Sequence, residues 1–152
     1  MHRALRGTSL APALFGSVLG IPGLVVLAAG AFPHIAFIPI SDLYHASGVT
    51  PSDQATLVSL WQATQGMFNA LLAVGLLLLA IGIILVGAAM LRTPAFGKVY
   101  GGVSVVLGVV GVVGASFFVV DPTTSIVVLS VFASIIFNLV LGWKVYSLSK
   151  TA

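Results

Sequence analysis

The chain has no cysteine. Disulfides, thiolate metal sites, thioether-linked haem and cysteine nucleophiles are all excluded at once, and the redox compartment leaves no mark on the sequence. Charge is nearly as scarce. Only 6% of the 152 residues are Asp, Glu, Lys or Arg, against roughly a quarter in an ordinary soluble domain. So few charges cannot cover a water-facing surface. With 59% hydrophobic residues and a mean hydropathy of +1.21, the composition belongs to the membrane class and leaves room for one integral membrane domain over residues 1–152. The net charge of +3 does not mark a nucleic-acid partner, because the 6 basic residues are scattered along the chain rather than clustered.

The apolar runs also lack charge at their centres. No Asp, Glu, Lys or Arg lies near the middle of any of them, which argues against a proton-driven exporter or a voltage sensor. His34 is the one histidine inside a run, near its end, so facing axial ligands for haem are missing and no cofactor is expected. No serine sits in a nucleophile-elbow pattern, and no Ser–His–Asp set can be assembled at one depth. No catalytic residue is expected.

A membrane crossing needs about 20 apolar residues. Four runs qualify, at about residues 10–38, 55–91, 99–120 and 125–146. The expectation is an all-α, four-helix membrane bundle. Arg3, Arg6, Arg92, Lys98, Lys144 and Lys150 then fall on one side, and Asp42, Asp53 and Asp121 on the other. Basic flanks stay in the cytoplasm, so both termini are expected inside, in the cytoplasmic membrane of a bacterium or archaeon. Tyr100, Trp143 and Tyr146 suit the inner interface, and Tyr44 and Trp61 the outer one.

The first run could be taken for a signal peptide, with Arg3 and Arg6 ahead of it and Ala29-Gly30-Ala31 as a cleavage site. It continues to Ile40, beyond a usual signal core, and is expected to be a retained span. Pro12, Pro22 and Pro33 break it, and Pro22, at mid-span, is expected to kink the helix or open its hydrogen-bond ladder. The second run is too long for one crossing. Thr50-Pro51-Ser52-Asp53 is a helix start, and a helix from there to Leu91 would reach about 60 Å. Its polar first part should project outside or bend near Gly66. Asp121-Pro122-Thr123-Thr124-Ser125 reads as a tight turn.

Glycine is the abundant residue, with 17 in the chain. In the third run Gly97, Gly101, Ser104, Gly108, Gly111 and Ala115 recur at alternating spacings of four and three, which keeps them on one helix face. Lipid offers no hydrophobic drive between helices, so association rests on close van der Waals contact, and small residues permit it. Ala13, Gly16, Gly20 and Gly23 form a similar series in the first run. Gly66, Ala70, Ala73, Ala80 and Gly87 do so in the second. Ser130, Ser134, Asn138 and Gly142 are a looser set in the fourth. Val, Leu and Phe on the opposite faces suit lipid tails or a partner.

Polar side chains within the runs are few. Gln62, Gln65 and Asn69 share a face of the second helix, and Asn138 sits in the fourth. They read as interhelical hydrogen-bonding groups or, with His34, as the lining of an outward-facing pocket for a lipid, quinone or small solute. His34, Asp42, His45 and Asp53 fall around the outer loop and are weak candidates for zinc or copper; no metal site is expected.

Residues 50–111 carry a polar helix start at Asp53, a Trp at 61, a long Leu/Gly helix, Arg92, a short loop with Phe96 and Gly101-Gly102. This order resembles bacterial multipass membrane proteins grouped only as a domain of unknown function. The resemblance implies a multipass architecture and no activity. The expected function is a non-enzymatic structural or interaction protein, an accessory subunit of a larger membrane complex or a homo-oligomer, in contact with lipid and with other membrane subunits or itself. The alternative is a binding or transport module built on the polar pocket.

Overall fold

A computed structural model describes residues 10–150, which form five helices and no strand. They are α1 (Leu10–Ala29), α2 (Phe32–Tyr44), α3 (Pro51–Leu91), α4 (Gly97–Val120) and α5 (Val127–Ser149). Four stretches are long and apolar enough to cross a membrane: α1 with α2 as one, then α3, α4 and α5. Arg3 and Arg6 of the expected basic flank lie outside the described residues.

The first stretch is interrupted at Gly30–Ala31, and α1 runs on through Pro22. The cause is Pro33. It lacks an N–H, and its ring would meet the carbonyl of Ala29 four residues earlier. The chain bridges the gap with short-range bonds, Ala31 N–H to Ala28 O at 3.1 Å and His34 N–H to Ala31 O at 3.2 Å, and Pro33 then occupies the first turn of α2, where no donor is needed.

Helix α3 is continuous over 41 residues, with no break at Gly66. Its start is a capping box. Thr50 Oγ1 accepts from the Asp53 N–H at 3.2 Å, while Asp53 Oδ2 accepts from the Thr50 N–H at 3.2 Å and the Thr50 hydroxyl at 2.7 Å.

Helix α3 is the hub. Helices α1 and α2 pack along it, α4 packs on another face, and α5 rests mainly on α4. The α4–α5 turn is held by Asp121, whose Oδ1 accepts from the Thr123 amide at 2.9 Å and the Thr123 hydroxyl at 2.6 Å. The hydroxyl bond, then the amide bond, hold the Asp121 carboxyl below its ordinary pKa of 3.8. At the other end the α3–α4 link is tucked inward: Thr93 and Phe96 are buried, and Phe96 joins Ala13, Val86, Met90 and Phe137 in the main apolar cluster.

Candidate functional site

Two small-residue seams hold the hub. On α4, Gly101 approaches Leu91, Gly108 approaches Ile84 and Ala80, and Gly111 approaches Ala80; Ser104 lies against Gly87. A methyl group at Gly108 would stand 2.9 Å from the Ile84 nitrogen and 3.0 Å from the Ala80 oxygen, so backbone meets backbone. Ala115 is fully buried, while Val109 and Val113 are about half exposed. Gly114 turns the other way, onto Ser130 of α5. Ser130 spans this second contact with a hydrogen bond from its hydroxyl to Gly111 O at 2.9 Å.

On the other side of α3, Gly16 lies against Gly82 and Val86, Gly20 against Gly82, and Gly23 against Gly75 and Leu79. Gly75 and Gly82 are seven residues apart on a face of α3 that the sequence series through Ala73, Ala80 and Gly87 does not include. Gly97 corrects an expectation. Its spacing puts it on the α4 packing stripe, but a side chain there would meet nothing within 4 Å, and its φ is +76°. Glycine serves there as the left-handed residue that starts α4 after the buried Phe96. Gly66 likewise faces open space.

The contacts of α4 with α3 run in antiparallel step, from Gly101–Leu91 to Gly111–Ala80. Extended to Val120, they bring the end of α4 level with about residue 71 of α3. Beyond that level, among the described residues, α2 is the helix that runs beside the first 20 or so residues of α3. The pair forms an arm about 30 Å long past the α4–α5 turn.

The arm is zipped by aromatic rings. His34 stands edge-on to Phe68 at 4.3 Å and to Phe37 at 5.2 Å, Phe37 stacks on Trp61 at 4.3 Å, and Tyr44 meets His45 at 5.1 Å. Near its tip α2 and α3 enclose a cleft of about 360 Å³. Ile40, Leu57, Val58 and Trp61 form its apolar wall, and Ser41, Tyr44, His45 and Gln62 supply its polar atoms.

The polar residues expected to share one pocket are divided. Gln62 lines the arm cleft. Gln65 instead donates to Asn69 Oδ1 at 3.0 Å along its own helix, and His34 is engaged with the two phenylalanine rings. Asn138 donates to Ser134 O at 2.8 Å and lines an apolar cleft between α1, α3 and α5 at the level of Leu76. That is about 20 Å along α3 from Gln62. The candidate metal ligands are also dispersed, and no group of three His, Asp or Glu side chains forms among the described residues. Asp53 is turned onto Thr50.

Tyr44 and Trp61 entered the sequence reading only as interfacial anchors; Ser41, Leu57 and Val58 did not enter it at all. Their convergence depends on the pairing of α2 with α3, which no local spacing announces. Lys144 Nζ sits 5.0 Å over the Tyr100 ring, joining α4 and α5 at the basic end. No protein-family model, curated protein or solved structure matches the chain.

Proposed function

We propose that this chain is a non-enzymatic, four-span interaction protein of a bacterial or archaeal cytoplasmic membrane, which associates with other membrane subunits or with copies of itself. Both termini lie in the cytoplasm, because Arg92, Lys98, Lys144 and Lys150 share one end of the bundle and Asp42, Asp53 and Asp121 lie toward the other.

The observation that carries the reading is the arm. A hydrocarbon layer of about 30 Å measured from Leu91 ends near residue 71 of α3, level with the α4–α5 turn. Phe32, Ile35, Ile38 and Leu43 of α2 lie beyond that level, and each is more than half exposed. Lipid tails cover the equally exposed Val106 or Phe132 of the bundle, but they do not reach the arm. A contiguous apolar surface in water marks a protein contact.

The chain's lack of cysteine makes the test clean. Ile38→Cys, treated in native membranes with a short bifunctional thiol reagent of mixed specificity, is expected to give a cross-linked species, either a dimer or an adduct with a second protein. Val106→Cys, facing lipid, is expected to give none. A lone uncross-linked chain with Ile38→Cys contradicts the proposal.

A further inference from the structure

We infer that the cleft near the tip of the arm is a binding site for a small uncharged amphiphile, a flat apolar body with a neutral hydrogen-bonding end. This goes beyond the association proposed above and rests only on the same membrane placement.

Gln62 is the first indication. Along α3 from Asp53 to Asn69 the other Asp, Asn, Gln, Ser and Thr side chains are committed. Asp53 bonds Thr50, Gln54 reaches Tyr44 O, Thr56, Ser59 and Thr64 bond carbonyls one turn back, and Gln65 pairs with Asn69. Gln62 alone among these makes no side-chain hydrogen bond among the described residues, and it lines the cleft. Ser41 and Tyr44, across from it on α2, carry hydroxyls that likewise make no hydrogen bond among the described residues. An amide and two hydroxyls converging on one concavity offer both donors and acceptors to a ligand.

The walls define the rest of the ligand. Ile40 is buried, Leu57 is half-buried, and Trp61 is fixed by its stack on Phe37 while leaving 41% of its surface open. A fixed aromatic ring beside aliphatic side chains suits a flat apolar group. No Lys, Arg, Asp or Glu lines the cleft, and its imidazole, His45, stands edge-on to Tyr44, so an ionic ligand would find no permanent counter-charge and would lose hydration without full compensation. The cleft is also rigidly framed. The capping box fixes the start of α3, and Gln54 Nε2 to Tyr44 O at 3.5 Å links it to the end of α2. Gln62 lies nine residues beyond the level of Leu71, about 14 Å farther along the arm. The ligand therefore enters from water rather than from among lipid tails, and the volume near 360 Å³ is at the small end for such sites.

Three matched probes test this: 2-naphthamide, 2-naphthoate and 2-naphthylmethylammonium. Each is titrated calorimetrically into the full chain in lipid nanodiscs, with empty nanodiscs subtracted. The amide is expected to bind saturably at one site per chain, with both charged probes at least about tenfold weaker. Gln62→Ala, an exposed position whose change leaves the fold intact, is expected to weaken the amide by about tenfold. Gln62→Glu is expected to shift preference toward the ammonium probe. Trp143→Ala, at the opposite end of the bundle, is expected to change nothing. The inference is overturned if none of the three probes saturates, if amide and naphthoate bind alike, or if Gln62→Ala binds as the parent does.

Discussion

Replacing Gly82 with alanine inserts one methyl group between two backbones. In the native packing that methyl would lie 2.7 Å from Gly16 O, 2.9 Å from Gly20 N and 3.0 Å from Gly20 Cα. None of these atoms belongs to a flexible side chain, so α1 must retreat as a body. Reaching ordinary contact at 3.4 Å opens the seam by about 0.7 Å. A gap of that size forfeits a quarter to a half of the dispersion energy of each pair it separates, and it also loosens Gly16 on Val86 and Gly23 on Leu79. Overpacking of this kind costs about 1–3 kcal/mol, offset by up to about 1 kcal/mol from alanine's better helix propensity. The expected net loss is about 1–2 kcal/mol. Gly102→Ala is the control: the same exchange within a helix, at a position where the new methyl meets nothing within 4 Å. It is expected to be neutral or to stabilise by up to about 1 kcal/mol. Reversible unfolding in mixed micelles, followed by circular dichroism, compares the two. If Gly82→Ala proves as stable as Gly102→Ala, the seam does not hold the bundle together.

Gly97→Ala is expected to destabilise by about 1 kcal/mol although its side chain would stand in open space, because φ is +76° there; Gly142→Ala, equally open but helical, should not. Ser130→Ala removes the buried hydrogen bond to Gly111 O, and a loss of about 1 kcal/mol in the same unfolding assay is expected. Asp121 is held below its ordinary value by Thr123, so its contribution is present above the unfolded pKa near 3.8 and is lost as pH falls through the lower folded value. Loss of Thr123 amide protection, judged against the intrinsic exchange rate at each pH, is expected only below about pH 4, and Asp121→Asn, which does not titrate, should abolish that loss on acidification.

Much of the bundle was legible because membrane packing writes short-range patterns. The spacing of Gly101, Ser104, Gly108 and Gly111 is a helix face, and a helix face of small residues has one physical use in lipid. The start of α3 was legible too, since Thr50 and Asp53 make their bonds within four residues of each other. The α1-facing seam was less so. Gly75 and Gly82 are seven apart with Leu78 and Leu79 at the turn between them, and they matter because Gly16 and Gly23 arrive from about sixty residues away. Gly97 fell into the stripe by spacing alone; its backbone angle is set by the buried loop before it, which periodicity does not report. Of the three prolines that interrupt the first span in the sequence, the mid-span Pro22 leaves the helix unbroken and the break falls ahead of Pro33, where Gly30 also weakens the helix. The arm cleft was least accessible. Gln62, Gln65 and Asn69 do share a helix stretch, but hydrogen bonding within that stretch removes two of them, and the remaining partners come from α2.

Native mass spectrometry of the protein released directly from its membranes bears most closely on the proposed role as an interaction protein. The account predicts a species heavier than one chain, carrying a second copy or another membrane subunit, that dissociates when Ile35 and Ile38 on the arm are both changed to serine. A single chain accompanied only by lipid, with the serine variant indistinguishable from it, would contradict the account.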